Sequence, residues 1–316
     1  MRNVKYILVG ILCAFVLSYV ISAVYNRYSP NAGPRGMEKS GKSVCVYEDG
    51  EYSLMDVEEY TASTLAGMMN QNWNDEMLRT MAVVIRTGIY YQMNEQVRQG
   101  NSQGGTLINE SELREIRYNE QELKGIWDNQ YRSVQRRAAA AVTDTYRQVL
   151  LYDGQPIMPA YHMVSIGHTV SAMEIYGYDI PYLKQTSSDA DRLASNFSST
   201  VIYSEDRLRK AFQKWLGDED EQTGEIKVAA ATESGFATAI DMYGTEVDAE
   251  IFRDQLGLQS TNIHIDRTKD GYRIITIGVG DSLGLSLYGA TVLSENGESY
   301  DEILAYYYAG AELSKP

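Results

Sequence analysis

The chain has 316 residues, of which 44% are hydrophobic and 10% aromatic, enough to bury one large core or two ordinary ones, which excludes global disorder. A formal charge of −15 argues against a nucleic-acid partner, since phosphate backbones are gripped by clustered Lys and Arg. The two cysteines, Cys13 and Cys45, provide neither a disulfide framework nor a CxxC-type metal site.

In chain order, residues 1–6 form a short tail carrying Arg2 and Lys5. The run "YILVGILCAFVLSYVISAVY" that follows is free of charge and about 20 residues long, enough for a helix to cross the hydrocarbon core. The reading is a transmembrane signal-anchor over residues 7–25, with the bulk of the chain outside the cytoplasm. A cleaved signal peptide ending near "ISA" is the alternative. Arg27, Arg35, Lys39 and Lys42 follow the run, so counting basic residues does not decide its orientation. Residues 26–45, rich in Gly, Pro, Ser and Asn at the start, read as a linker, and 46–313 as the folded region with room for two lobes.

Helical periodicity dominates 56–97 and 118–140, and the polar stretch 98–111 reads as a loop. Strand-like runs occur at "QVLLYDG", "QPIMPAYHMV", "IKVAAATES", "FATAIDMYG", "NIHIDRT" and "YRIITIGVG", with helical segments at 204–216, 248–257 and 300–308. Helices and hairpin-like strands come in blocks without βαβ alternation, which predicts an α+β fold. There is no GxGxxG and no P-loop, so no nucleotide cofactor is expected.

Four blocks carry a resemblance. "VEEYTASTLAGMMNQNWNDEMLRTMAVVIRT" resembles an LEEY start, an AAEMP turn and an E-A-L-K-A-Q-A-V-A-A-R-T-Y helix. "AVTDTYRQVLLYDGQPIMPAYHMVSIGHT" resembles a strand pair followed by a YHS-x-SGG-x-T turn, and "EIYGYDIPYLK" resembles E-V-W-G…PYL. "FRDQLGLQSTNI" and "GVGDSLGLSLYGATVLSENGESYDEILAYYYAGAEL" are similar to a closing GWGHGVGMSQYGA…SYxEIL signature. These are the motifs of the stage II sporulation protein D family, also called the LytB-type amidase-enhancer family, in order from residue 57 to 313. The resemblance implies a membrane-anchored, extracytoplasmic protein acting on peptidoglycan glycan strands beside a partner amidase or endopeptidase. It also implies lytic transglycosylase chemistry. One carboxylic acid protonates the glycosidic oxygen, then serves as base while the muramic 6-hydroxyl closes an anhydro ring.

The family's acid falls on Met68, with Met69 and Asn70 following. A thioether neither donates nor accepts that proton. At 100° per residue Met68 lies about 20° from Val57, in an apolar arc with Leu65, where Met serves as a gap-filler. The family's GHG is "GDS" here, with Asp281 at the His position, and Leu287 replaces its Gln. The segment matching its Cys-His-Cys zinc site, "GIWDNQYRS", has no Cys or His, so no metal is expected. In the "YHMVSIGHT" turn Met163 and Ile166 stand at two motif positions.

Substrate-binding candidates survive. Arg79 and Arg86 are seven residues apart on one helix, about 20° short of two turns, so both guanidiniums share a stripe suited to lactyl or stem-peptide carboxylates. A solvated face with ion pairs to Asp75 or Glu76 is the alternative for that stripe. Tyr182 and Lys184 in "PYLK", and Tyr288 in "LYGA", fall on positions the resemblance implies border the cleft. Glu58 and Glu59 are roughly 15 Å along a helix from position 68, too far to replace its acid. Asp281 is the substitute to consider, either as an acid raised by burial or as a turn residue bonded to backbone amides. The spacing of His162, His168 and His264 makes no metal or triad case. Two readings follow: a catalytically impaired cell-wall binder that assists partner hydrolases, or a transglycosylase with its acid relocated to Asp281.

Overall fold

A two-residue Asp49-Gly50 loop, with both residues at positive φ, closes the first hairpin and matches the right-handed twist of its strands, β1 (Ser43–Glu48) and β2 (Glu51–Asp56). The computed structural model describes residues 37–101, 105–216 and 224–316. The predicted membrane span at 7–25 lies outside them. Among the described residues no helix is long and apolar enough to cross a membrane.

Asp56 ends the hairpin and caps α1 (Val57–Met68), its carboxylate accepting from the Glu58 amide at 2.9 Å. Asn74 caps α2 (Asp75–Arg98) in the same way through Met77 N. The single helical stretch expected over 56–97 is therefore two helices. Trp73 N bonds back to Asn70 O within the break, and Asn72 N to the Asn70 side chain. β3 (Leu107–Asn109) pairs parallel with β1, so the expected 98–111 loop contains a strand. α3 (Glu120–Trp127) and α4 (Tyr131–Asp144) come next, and α1, α2 and α4 pack on one another around Leu65, Met77, Leu78, Met81 and Ile85.

β4 (Val149–Tyr152) turns through Asp153-Gly154 into the two-residue β5 (Gln155–Pro156), and β6 (Tyr161–His162) follows. The continuous strand expected from 155 to 164 is instead those two short strands and a single bridge at Val164. After α5 (Ala172–Tyr176) the chain enters a region with its own core. β7 (Ser198–Tyr203), α6 (Glu205–Ala211), β8 (Ile226–Ala231), β9 (Ala237–Met242), β10 (Thr245–Asp248), α7 (Ala249–Leu256), β11 (Ile263–Thr268) and β12 (Gly271–Ile277) make two antiparallel three-stranded sheets, in orders 10-9-8 and 11-12-7. Phe212 and Phe252 stack between them at 5.2 Å among Leu208, Ile240 and Tyr272.

The chain then returns to the first core. β13 (Leu285–Ser286) pairs parallel with β6, α8 (Leu287–Glu295) and α9 (Tyr300–Tyr307) pack on α2, and β14 (Glu312–Ser314) pairs antiparallel with β4. Helices and small, mostly antiparallel sheets segregate as predicted: the fold is α+β.

Candidate functional site

Met68 is the last residue of α1 and is half-buried, whereas its neighbour Met69 is buried. The apolar-arc expectation therefore fits Leu65 and Met69 better than Met68, which sits at the edge. The backbone around it is held tightly. Trp127 Nε1 donates to Ala66 O at 2.8 Å, Met69 N to Leu65 O at 2.9 Å, and Ser63 Oγ to Tyr118 O. Gly67 lies under the Tyr118 ring so closely that a Cβ there would come within 1.8 Å of it.

The expected arginine stripe divides. Arg86 is fully buried and clasps Glu58 of α1: Nε is 3.0 Å from each carboxylate oxygen and Nη2 2.6 Å from Oε2. Its remaining donors reach Val142 O at 3.2 Å and Gln148 O at 3.1 Å. No face of this guanidinium is open to a ligand, which corrects its assignment to a binding surface: Arg86 joins α1, α2 and the end of α4. Arg79 stays at the surface, with Nε and Nη2 on Asp144 Oδ2 at 2.9 and 2.7 Å and Nη1 on Glu76 at 2.5 Å.

The other candidates gather where residues 158–184 meet 278–288. Val164 and Val279 exchange backbone hydrogen bonds at 3.2 and 2.8 Å, and Tyr288 N donates to Met163 O at 3.1 Å in the first turn of α8. His162 is buried, and its Nδ1–H donates to Leu283 O at 3.0 Å; burial holds its pKa below the usual imidazole value. Asp281 is half-exposed and accepts the Leu283 amide at 3.0 Å, the turn-bonded arrangement rather than a buried acid. The Tyr182 hydroxyl accepts from Met158 N at 3.0 Å, and its ring lies 5.7 Å from that of Tyr152. The Lys184 side chain is exposed, and its carbonyl accepts from Thr169 Oγ1 at 3.0 Å.

Two residues absent from the sequence reading extend this neighbourhood. Tyr176 and Tyr178, 44% and 58% exposed, stack with ring centroids 5.7 Å apart. Burial raises the Tyr176 hydroxyl pKa, with the Asp281 charge adding to it, and burial likewise raises Tyr91 and Tyr182, to which Tyr178 makes a lesser contribution. Met163 and Met173 are exposed too. Glu174 fixes the platform by accepting Ser234 N at 2.8 Å and Ser234 Oγ at 2.9 Å from the inserted region. Stacked, exposed tyrosines beside a carboxylate offer flat apolar faces and hydrogen-bonding edges, a surface on which a sugar ring can lie. Among 25 tyrosines, no spacing distinguished these two.

Glu115 was missed entirely, hidden in the charged run "ELREIR". It is 5% exposed, its carboxylate lies 3.1 Å from where a Cβ on Gly88 would be, and its Oε2 has no hydrogen-bond partner among the described residues. Burial raises its pKa, partly offset by its own amide and by Arg114, whose guanidinium sits 5.2 Å over the Tyr161 ring. A carboxyl raised on folding costs stability at neutral pH, and that cost disappears as pH falls through its folded pKa. Glu115→Gln is therefore expected to gain of order 1 kcal/mol at pH 7 and to flatten the rise in stability on acidification, as measured by urea titrations at neutral and mildly acidic pH. Among the described residues, no group of three or more His, Cys, Asp or Glu is placed to hold a metal ion.

Fold and surface together define an α+β protein that presents a tyrosine-lined face on a pair of interlocked turns. Residues 49–152 match the family model described as "Stage II sporulation protein". The chain is 27% identical to stage II sporulation protein D of Bacillus subtilis (strain 168) over 288 residues, covering 90% of this chain and 82% of that protein. It is 28% identical to the protein of the same name from Bacillus amyloliquefaciens over 283 residues, covering 88% and 80%. It is also 24% identical to the amidase enhancer of Bacillus subtilis (strain 168) over 225 residues, covering 55% and 32%. These matches support assigning the chain to the stage II sporulation protein D family.

Proposed function

We propose that this protein binds peptidoglycan glycan strands and assists wall remodelling during sporulation, beside a partner amidase or endopeptidase, without cleaving strands itself. The observation that carries this reading is the thioether of Met68 at the half-exposed end of α1, where the family resemblance calls for a carboxylic acid. Asp281 is bonded to its own turn, and Glu115 is shut away from solvent. Neither stands ready as a replacement acid, which must come within about 3 Å of a glycosidic oxygen. The tyrosine face supplies the binding surface, with Tyr182, Lys184 and Tyr288 around it. The sporulation and amidase-enhancer names of the relatives support the setting. In this reading residues 7–25 anchor the chain in the cell membrane, 26–45 tether it, and 46–313 work outside the cytoplasm.

The test incubates residues 38–316, one compact unit, with glycan-intact sacculi, beside a Met68→Glu variant. The wild type is expected to co-sediment with sacculi and release no anhydromuramic ends by mass spectrometry. Activity gained by Met68→Glu marks a cleft that lacks only its acid. Anhydro ends from the wild type overturn the reading and make Asp281→Asn the next variant.

A further inference from the structure

A hollow lies between α2 and α4, separate from the tyrosine face. α4 contributes Ser133, Arg136, Arg137, Ala140, Ala141 and Asp144, which follow helical spacing along one side of it. Asp75 and Arg79, four residues apart on the first turns of α2, form the opposite wall. Ser133, Ala140 and Ala141 are small, which leaves space between the arginines of the two helices. Its volume of about 290 Å³ is at the small end for ligand sites, which fits the end of a short peptide rather than a folded partner.

The charges in it are unevenly committed. Arg79 is held by Asp144 and Glu76. Arg137 donates to the Trp73 carbonyl and lies 3.7 Å from Asp75, a loose pairing. Arg136 is exposed and gives only its Nε to the Arg132 carbonyl at 3.3 Å, leaving both terminal nitrogens without a carboxylate among the described residues. Three guanidiniums and two carboxylates line the hollow. With Glu76 also engaged by Arg79, it is Arg136 that is left without a carboxylate among the described residues, on a chain whose net charge is −15. Arginine forks match planar carboxylates in paired hydrogen bonds. The two aspartates disfavour a multiply charged phosphate and offer acceptors to amide N–H groups.

We propose that this hollow is a second binding site, which takes a short peptide through a free carboxylate held by Arg136 and Arg137. Arg79 is fixed by Asp144 as part of the wall and is not itself the primary grip. Assigning the peptide to the stems of peptidoglycan rests on the function proposed above; the binding itself does not.

The test is calorimetric titration of the full chain in mild detergent with N-acetyl-alanyl-glutamate, with its diamide and with inorganic phosphate. The dicarboxylate is expected to bind in the millimolar range, the diamide at least tenfold more weakly, and phosphate no better than the diamide. Arg136→Glu, a change at an exposed position, is expected to weaken the dicarboxylate at least tenfold and leave the thermal midpoint unmoved. Equal affinity for the diamide, unchanged affinity in Arg136→Glu, tighter phosphate binding or no peptide binding each overturns the proposal. Sacculus co-sedimentation is read in parallel. Sacculi bound without peptide binding sinks this site alone, and peptide bound without sacculus binding sinks the functional reading alone.

Discussion

Arg86→Ala is expected to destabilise the protein by about 3–5 kcal/mol, the largest loss from any single side chain in the first core. The change removes a fully buried guanidinium and strands Glu58, itself buried, with no counter-charge; it also removes the donor to Val142 O and Gln148 O. Even with Arg86 present, burial raises the Glu58 carboxyl more than the arginine lowers it. Without Arg86 that carboxyl rises further. A carboxyl raised on folding destabilises above its folded pKa, so the deficit is expected to shrink as pH falls through that value. Urea titrations near pH 7 and pH 5 measure both the loss and its recovery. Arg86→Met combined with Glu58→Leu is expected to restore part of the stability, because the pair as a whole costs desolvation; the two orphaned carbonyls limit the recovery. A loss that does not vary with pH would mean the arginine acts through packing alone.

Gly284→Ala is expected to cost about 3 kcal/mol or more. Gly284 has φ +71, and a Cβ there would lie 2.0 Å from Ala160 O, a backbone atom that accepts the Leu285 amide at 3.0 Å and cannot swing aside. The substitution therefore prises apart the β6–β13 pairing on which the turns beneath the tyrosine face are built. Gly297→Ala is the control: φ is +99, but nothing lies within 4 Å of the new methyl. It should cost only about 1 kcal/mol, from backbone strain without a clash. Thermal melts of the two variants side by side separate strain from collision, and equal losses would refute the steric account.

Much of the fold was legible because local chemistry and burial agree. Asp56 caps a helix where a short polar side chain precedes apolar periodicity, and the apolar run "QVLLYDG" ends on the Asp153-Gly154 pair that turns its strand. The break at 69–74 was hidden because it contains neither Pro nor Gly; asparagine side chains supply the turn. β3 and β7 were missed for different reasons. The first is three residues long and is defined only by a partner some sixty positions away, and the second, "SSTVIY", is half-polar and alternates only weakly.

Site residues were legible in direction but not in depth. Heptad spacing correctly placed Arg79 and Arg86 at similar angles on α2, but an angle does not say how far along its length a helix passes beneath other elements. Arg79 lies at the rim beside Asp144, whereas Arg86 lies under the end of α4, and its partner Glu58 is 28 residues away on another helix. Glu115 looks like a solvated charge in sequence because it is buried by tertiary neighbours, among them Gly88 on α2 and Tyr60 on α1. The Tyr176–Tyr178 stack is a tertiary fact with no signature beyond an abundance of tyrosine.

The inserted region has a bearing on how the chain finds its fold. Its first and last strand residues, Ser198 and Ile277, are paired partners, so once it has folded its two ends are held side by side. The contacts that complete the other core, Tyr161 with Leu285 and Leu150 with Leu313, are among the most distant in sequence and form only after the C-terminal strands have been made. A pre-folded insert shortens the open chain between Tyr161 and Leu285 from about 120 residues to about 45, lowering the entropic cost of closing it by about 0.9 kcal/mol. Once formed, the small module in the middle of the sequence would act as a splint, holding the last forty residues within reach of strands far earlier in the chain.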